Sequence, residues 1–176
     1  MRSKGGSQTI FEVQAGRSAV LVKARSNVGP ISFATSELHG EISADVEGKS
    51  IDATAPVKAR LSVALRSLTS GNSLYDTELK RRIDARRYPD AVLELEHAIH
   101  LAGTNRYELG ARIEIHDVVR PIGGIVTVDS PGQGAIVVRG QQTLDIRDFD
   151  LEVPTTLALK IYPEVSVEIH LEARSQ

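Results

Sequence analysis

Most of the chain alternates apolar and polar residues, so that side chains of one kind recur at every second position. The alternation is clearest near the C terminus, from Val165 to Leu171, and it recurs from Val57 to Leu65 and from Tyr107 to Ile115. Successive side chains of a β-strand point to opposite faces of a sheet. The pattern therefore predicts antiparallel strands with one apolar face and one face in water.

Less regular segments and the turns between them extend this prediction to almost the whole chain. Further strands are predicted at Val20–Ala24, Ile31–Ala34, Ile42–Val46, Leu93–Leu101, Ile122–Val128 and Ile136–Ile146. The intervening NVGP, VEGKS, TSGN, AGTN and DSPGQG segments supply glycine, proline and asparagine for turns. No internal repeat or low-complexity linker divides the chain. We therefore expect one all-β domain over residues 9–174, preceded by a disordered segment over residues 1–8.

One segment departs from the strand period. In NSLYDTELKRRIDARRYPD, residues 72–90, apolar residues recur every four positions, which predicts one short amphipathic helix near residues 73–87. Ser73 is expected to cap the helix, with Asp76 in capping-box position, and Pro89 to end it. The apolar stripe of this helix consists of Tyr75, Leu79 and Ile83. A helix that buries only one narrow side needs apolar surface beneath it, and the open end of a barrel would provide that surface.

Strand periodicity leaves the architecture of the sheet open. Many antiparallel strands in one domain need either two packed sheets or a closed barrel, because an open sheet leaves unpaired edges. The 176 residues are enough for one domain with a sizeable core. The net charge of −2 gives no basic patch for a nucleic acid or a membrane surface.

Composition also bounds the chemistry and the compartment. The absence of cysteine excludes disulfides and thiolate chemistry. The opening MRSKGGSQTI lacks the apolar region of a signal peptide, and no apolar run is long enough to span a bilayer. The default expectation is a cytoplasmic protein without an integral membrane segment, with a removed signal peptide left open.

The five histidines do not form a catalytic or metal site in this pattern. His97 and His100 lie three residues apart in one predicted strand, and they therefore point to opposite faces and cannot bind one metal. Strict alternation places His97 on the apolar face, so we expect a β-bulge after Leu95 that turns it outward. His116-Asp117 lies at a turn, where a solvated pair is the expected state. No set of nucleophile, base and acid for a catalytic site can be assembled from this sequence. The sequence therefore predicts no enzyme, no metal and no cofactor.

Several short motifs, taken in their order along the chain, resemble one family. They are GEISAD at Gly40–Asp45, the SLTSGN turn, the helical segment with Tyr88-Pro89, IEIHDVVRPI at Ile113–Ile122 and LDIRDFDLEVP at Leu144–Pro154. Together they are similar to the YceI-like family of lipocalin-type polyisoprenoid-binding proteins, over roughly residues 10–173. Two positions differ from the family pattern: Asp150 replaces the glycine after Phe149, and Glu78 stands where the helix normally has histidine or a similar residue.

The resemblance implies an eight-stranded antiparallel barrel with a helix beside its opening and a polyisoprenoid chain inside. A barrel of about eight strands is either filled by its own side chains or able to hold one small ligand. Its predicted inward residues are mostly alanine and valine, and with three Phe and no Trp few large rings are present to fill the interior. Each buried methylene is worth roughly 0.8 kcal/mol, so a five-carbon prenyl unit would gain about 3–4 kcal/mol before association costs.

The resulting hypothesis is a protein that binds, carries or sequesters a polyisoprenoid, an isoprenoid quinone or a related lipid. The predicted lining residues are Phe33, Leu61, Val63, Leu65, Tyr75, Leu79, Ile83, Tyr88, Leu93, Leu95, Leu109, Ile113, Val126, Val138, Val167 and Ile169. Arg120 and Arg147 are expected either to meet a polar head group or to form a bidentate pair with a carboxylate that joins strand ends. The alternative function is a barrel with a solid core that acts as a protein–protein interaction module or homodimer.

Overall fold

The computed structural model describes residues 8–132, 134–151, 155–156 and 159–176. Within these residues the strands are β1 (Thr9–Val13), β2 (Ala19–Ser26), β3 (Gly29–Thr35), β4 (Leu38–Ala44), β5 (Val46–Glu47), β6 (Ser50–Ile51), β7 (Lys58–Ala64), β8 (Asp90–His100), β9 (Arg106–Ile115), β10 (Val118–Gly132), β11 (Ala135–Asp145), β12 (Thr155–Thr156) and β13 (Leu159–Ser175). The α-helix α1 spans Ser73–Arg82, and 3-10 turns span Ala15–Arg17, Leu65–Ser67 and Ile146–Phe149. Except for Gln8, the segment expected to be disordered lies outside the described residues.

Eight strands close into an antiparallel barrel. Their order around the ring is β1, β4, β7, β8, β9, β10, β11 and β13, and β13 pairs with β1, with Val13 opposite Ala173. Closure explains how so many alternating strands coexist in one domain, because a closed sheet protects the edges that an open sheet would expose. The prediction of an eight-stranded antiparallel barrel with one short helix is confirmed, and the alternative of two packed sheets is excluded.

The hairpin β2–β3 extends the wall of this barrel at one end. The first half of β13 pairs with β2 rather than β1, with Val165 opposite Ala24, and β2 in turn pairs with β3, with Val22 opposite Phe33. The 3-10 turn at Ala15–Arg17 interrupts the chain between β1 and β2, so two successive segments share one long partner strand. The hairpin thereby adds apolar surface next to the helix.

The opposite end of the barrel is closed by packing. Leu38, Ile136 and Leu171 are at most 1% exposed there. The short ribbon β5–β6 lies over this end, and the buried hydroxyl of Tyr107 accepts a hydrogen bond from the Ile51 N–H at 3.0 Å and donates to the Ile51 carbonyl at 3.1 Å. We call the whole barrel interior the lumen; the half of it at this end is a conventional core.

The residue that caps helix α1 lies one position before the predicted cap, Ser73. The side chain of Asn72, not that of Ser73, accepts the backbone N–H groups of the second and third helical residues, at 3.0 and 3.3 Å. Asn72 has the extended backbone that an N-cap requires, and asparagine caps as well as serine does. Asp76 accepts hydrogen bonds from the backbone N–H and hydroxyl of Ser70, at 2.7 and 2.6 Å, so the predicted capping box is also wrong.

The helix ends earlier than its apolar stripe suggests. Its last helical residue is Arg82, and Asp84 adopts a left-handed conformation with φ of 48°. A left-handed residue cannot continue a right-handed helix, so Asp84 and not Pro89 is the point of termination. The expected span of residues 73–87 is therefore five residues too long.

Candidate ligand cavity

An apolar cavity lies between α1 and the interior of the barrel. Its volume is about 170 Å³ and the surface that faces it is apolar. Six parts of the fold form it: the hairpin β2–β3, the first half of β13, the end of β11 with the 3-10 turn after it, the 3-10 turn after β7, the end of β9, and the inner side of α1. It is lined by Val22, Ala24, Ile31, Phe33, Leu65, Leu68, Tyr75, Glu78, Leu79, Arg82, Ile83, Ile115, Leu144, Ile146, Phe149, Leu151, Ile161, Val165 and Val167.

The cavity exists because side chains of modest size meet across a wide part of the barrel. Val22 and Val167 are direct partners on β2 and β13, and Ala24 and Val165 form the next inward pair. None of these four side chains reaches far from its strand, and α1 lies over the space they leave. An apolar cavity of this kind excludes water and favours apolar molecules.

Six of the sixteen predicted lining residues lie at this cavity: Phe33, Leu65, Tyr75, Leu79, Ile83 and Val167. Six others pack against the core at the closed end: Leu61, Val63, Leu109, Val126, Val138 and Ile169. Leu93, Leu95 and Ile113 are half-buried on the inner face of the barrel. Tyr88 lies away from the cavity, with its ring 4.6 Å from that of His116. Contact of these residues with a ligand stays a prediction.

Sequence reasoning missed two groups of cavity residues. Val22, Ile31 and Val165 follow strand alternation, and the side that faces the cavity could have been assigned had β2 and β3 been placed in the wall. Ile146, Phe149 and Leu151 belong to the 3-10 turn and the residues after it. An irregular segment has no simple period, and its inward residues become visible only in three dimensions.

A second, polar pocket adjoins the first at the end of α1. Its volume is about 310 Å³, and it is lined by Arg81, Arg82, His116 and Asp150. Arg82 lines both pockets and so separates the apolar space from the polar one. The carboxylate of Glu78 accepts hydrogen bonds from Arg81 at 3.0 Å and from Arg82 at 2.7 Å. These two guanidinium groups lower the pKa of Glu78 from its ordinary value, and the carboxylate in turn offsets one of their two positive charges.

The two arginines proposed for head groups or strand ends differ in their surroundings. Arg147 forms a bidentate pair with Asp145, at 3.0 Å from Nε to Oδ1 and 2.6 Å from Nη2 to Oδ2. Hydrogen bonds from Arg147 lower the pKa of Asp145, and the carboxylate raises that of Arg147. Arg120 donates from Nη1 to the Val119 carbonyl at 3.0 Å and has no carboxylate partner in the described part of the chain. The Arg147–Asp145 pair is local, because the two residues lie two positions apart at the end of β11, and it does not join two strand ends as expected.

The described residues also bear on the expectations for the histidines, for a metal site and for a membrane-spanning helix. The predicted β-bulge is present between Leu95 and His97, and the ring of His97 lies over Gly110 on the outer face. Among the described residues, no three His, Asp or Glu side chains are grouped so that they could hold a metal ion. No helix within those residues is both long enough and apolar enough to cross a membrane.

Comparison with known proteins agrees with this geometry. The sequence model of a family described as YceI-like domain matches residues 11–173. BcnA from Burkholderia cenocepacia superimposes with a TM-score of 0.75 at 19% identity, over 91% of this chain and 98% of that chain. A polyisoprenoid binding domain from Saccharophagus degradans, implicated in plant cell wall breakdown, gives 0.76 at 15% identity, over 94% and 98%. The Campylobacter jejuni YceI protein gives 0.59 at 16% identity, over 73% and 80%. No curated protein matches the chain by sequence.

Proposed function

Because the chain belongs to the YceI-like domain family, we propose that it binds an elongated apolar ligand in the barrel and thereby carries or sequesters it. The ligand class is a polyisoprenoid, an isoprenoid quinone or a related lipid. The observation that carries the proposal is the apolar cavity beneath α1, within a barrel whose other end is packed. The cavity supports a ligand-binding role over a barrel filled by its own side chains and used only as an interaction surface.

The size of the cavity bears on the ligand. Its volume of about 170 Å³ is below the roughly 300 Å³ at which sites for drug-sized molecules begin. A long chain therefore needs additional space, either from displacement of α1 or from the half-buried inner wall at Leu93 and Ile113. Helix α1 contributes no fully buried residue of its own, so its displacement from the cavity costs little buried apolar surface.

Binding can be tested with all-trans-retinol, an isoprenoid whose fluorescence reports an apolar environment. The Val167→Phe variant places a ring in the cavity, and we expect its affinity for retinol to fall at least tenfold. Val46→Phe makes the same change in the ribbon at the opposite end, and its affinity should stay within twofold of the wild type. Both variants are first shown to be folded by circular dichroism. Equal affinities in wild type and Val167→Phe, or no binding by the wild type, would contradict the proposal.

A further inference from the structure

The barrel wall contains a stretch without backbone pairing. Strand β10 pairs with β9 from Val118 to Thr127, but its pairing with β11 begins only at Val126, opposite Gly140. Strand β11 continues to Asp145 and pairs with β13 throughout. Residues 118–125 of β10 and 141–145 of β11 thus face each other without a ladder. We call this stretch the seam.

The sequence of β10 suits an open edge. The two-residue turn His116–Asp117 makes its flanking residues, Ile115 and Val118, a hydrogen-bonded pair. Because pairing alternates along the strand, the backbone groups of Val119, Pro121 and Gly123 then point to the seam. Pro121 has no N–H to leave unpaired there, and an open edge is one of the few places where a sheet accepts proline.

Side chains take the place of the missing ladder. The Gln142 amide donates to the carbonyl of Gly123 across the seam, and Arg120 donates to the carbonyl of Val119. By register, Arg120 and Gln142 occupy inward positions on the two opposing strands, opposite Ile113 and Val167 respectively. Two polar side chains thus interrupt an otherwise apolar part of the inner face, and both do so at the seam.

A row of apolar side chains on the inner wall of the barrel leads to the seam. Leu61, Leu93 and Ile113 are successive partners across β7, β8 and β9, and the next partner in the same row is Arg120. All three apolar side chains point inward, yet each remains half-buried and not fully buried. This part of the inner wall is therefore incompletely covered by the protein's own side chains.

Arg120 differs from nearby arginines in having no carboxylate partner among the described residues. On the outer face Arg112 pairs with Glu94 and Glu96, and Arg139 pairs with Asp129. The guanidinium of Arg120 meets only a neutral carbonyl among the described residues. At the polar pocket, by contrast, Arg81 and Arg82 share the carboxylate of Glu78, and Asp150 adds a second carboxylate to the lining. Guanidinium groups bind carboxylate and phosphate oxygens with two parallel hydrogen bonds, which makes Arg120 the better anion site.

We propose that the seam binds the anionic end of an amphiphilic ligand, with Arg120 contacting its carboxylate or phosphate while the apolar chain lies along the lumen. The inference rests on the proposed function and adds a ligand class, an apolar chain with one negatively charged end. Gln142 supplies a second polar group at the same opening.

Two probes with one isoprenoid chain and different ends test this directly: all-trans-retinoic acid, which carries a carboxylate, and all-trans-retinol, which carries a hydroxyl. Arg120→Gln should weaken retinoic acid binding at least tenfold and leave retinol binding within twofold. The control is Arg112→Gln, an arginine on the neighbouring strand and the outer face, which should leave both affinities within twofold.

Several outcomes would overturn the inference. An equal loss for both probes in Arg120→Gln would mean that Arg120 supports the fold and not the charged end, and no loss for either would mean that it is not at the site. Displacement of retinoic acid by equimolar inorganic phosphate would indicate a site for free anions instead. If the wild type binds retinol but Arg120→Gln does not discriminate, only this inference fails; if the wild type binds neither probe, the proposed function fails with it.

Discussion

At the scale of single residues, the structure explains the backbone conformation at Asp150 and the hydrogen bonds of the Tyr107 hydroxyl. Asp150 has a φ of 55°, the left-handed conformation that glycine adopts without cost and aspartate tolerates. This explains why the resembling motif has glycine there and why Asp150 can replace it. The hydroxyl of Tyr107 is used completely, since it both accepts from and donates to Ile51.

Tyr107→Phe should therefore destabilise the barrel although it keeps the ring. The change leaves the N–H and carbonyl of Ile51 buried without their partner, which costs about 1–3 kcal/mol in the free energy of unfolding. Urea denaturation measures the loss. Tyr162→Phe is the control, because that ring is 39% exposed and its substitution should cost less than about 0.5 kcal/mol. Equal losses in the two variants would contradict the role assigned to Tyr107.

Glu78 predicts a dependence of stability on pH. Its folded-state pKa is lowered by Arg81 and Arg82, so its carboxylate contributes stability that is present above its ordinary pKa and is lost as the pH falls through the folded-state value. Glu78→Gln should be less stable than the wild type near pH 7, by at most about 1 kcal/mol, and the difference should shrink when the pH is lowered to about 3, below the ordinary pKa of glutamate. Denaturation at the two pH values measures it.

Glu108→Gln is the matched control for this effect. Glu108 is an exposed residue of β9 on the outer face of the barrel. Its substitution should leave the change in unfolding free energy between the two pH values as in the wild type. A Glu78→Gln variant whose deficit persists unchanged at low pH would show that the pair with Arg81 and Arg82 is not its source.

At the scale of elements, the strands follow from the sequence more closely than the helix does. Alternation places Leu61, Ile113 and Val167 on inward faces, as the register shows. The helix was predicted from its period, but its start depended on a choice between Asn72 and Ser73 that propensity does not make. Its end depended on the conformation of Asp84, which no periodic pattern contains. Local side-chain geometry decided both ends.

The cap gives a direct test of the helix boundary. Asn72→Ala removes the acceptor of two helical N–H groups and should cost about 1 kcal/mol, with faster hydrogen exchange of the α1 amides. Ser73→Ala alters the first helical residue and should change exchange little. The reverse order of effects would restore Ser73 as the cap. If α1 covers the ligand, Asn72→Ala should also release retinol faster.

At the scale of the whole molecule, the barrel is packed at one end and contains a cavity at the other. The resemblance and the alternation together predict the closed sheet, and composition predicts that large rings are too few to fill it. Neither could locate the unfilled space, because this depends on how β2–β3, α1 and the turn at Ile146–Phe149 meet at one end. Likewise, Pro121 and Gly123 become meaningful as a seam only once β10 and β11 are seen to separate.

Because the two ends differ in packing, the same Leu→Ala substitution should lower the free energy of unfolding by different amounts at each end. Leu171 is 1% exposed in the packed end, where neighbours cannot close the space left by Leu171→Ala, so the loss should be about 3–5 kcal/mol. Leu144 lines the cavity and already lacks neighbours on one side, so Leu144→Ala should cost about 1–2 kcal/mol. Urea denaturation of both variants, with circular dichroism to show that each is folded, measures the difference. Equal losses would mean that the helix end is packed as densely as the other, and a lumen packed throughout would leave no space for an apolar chain.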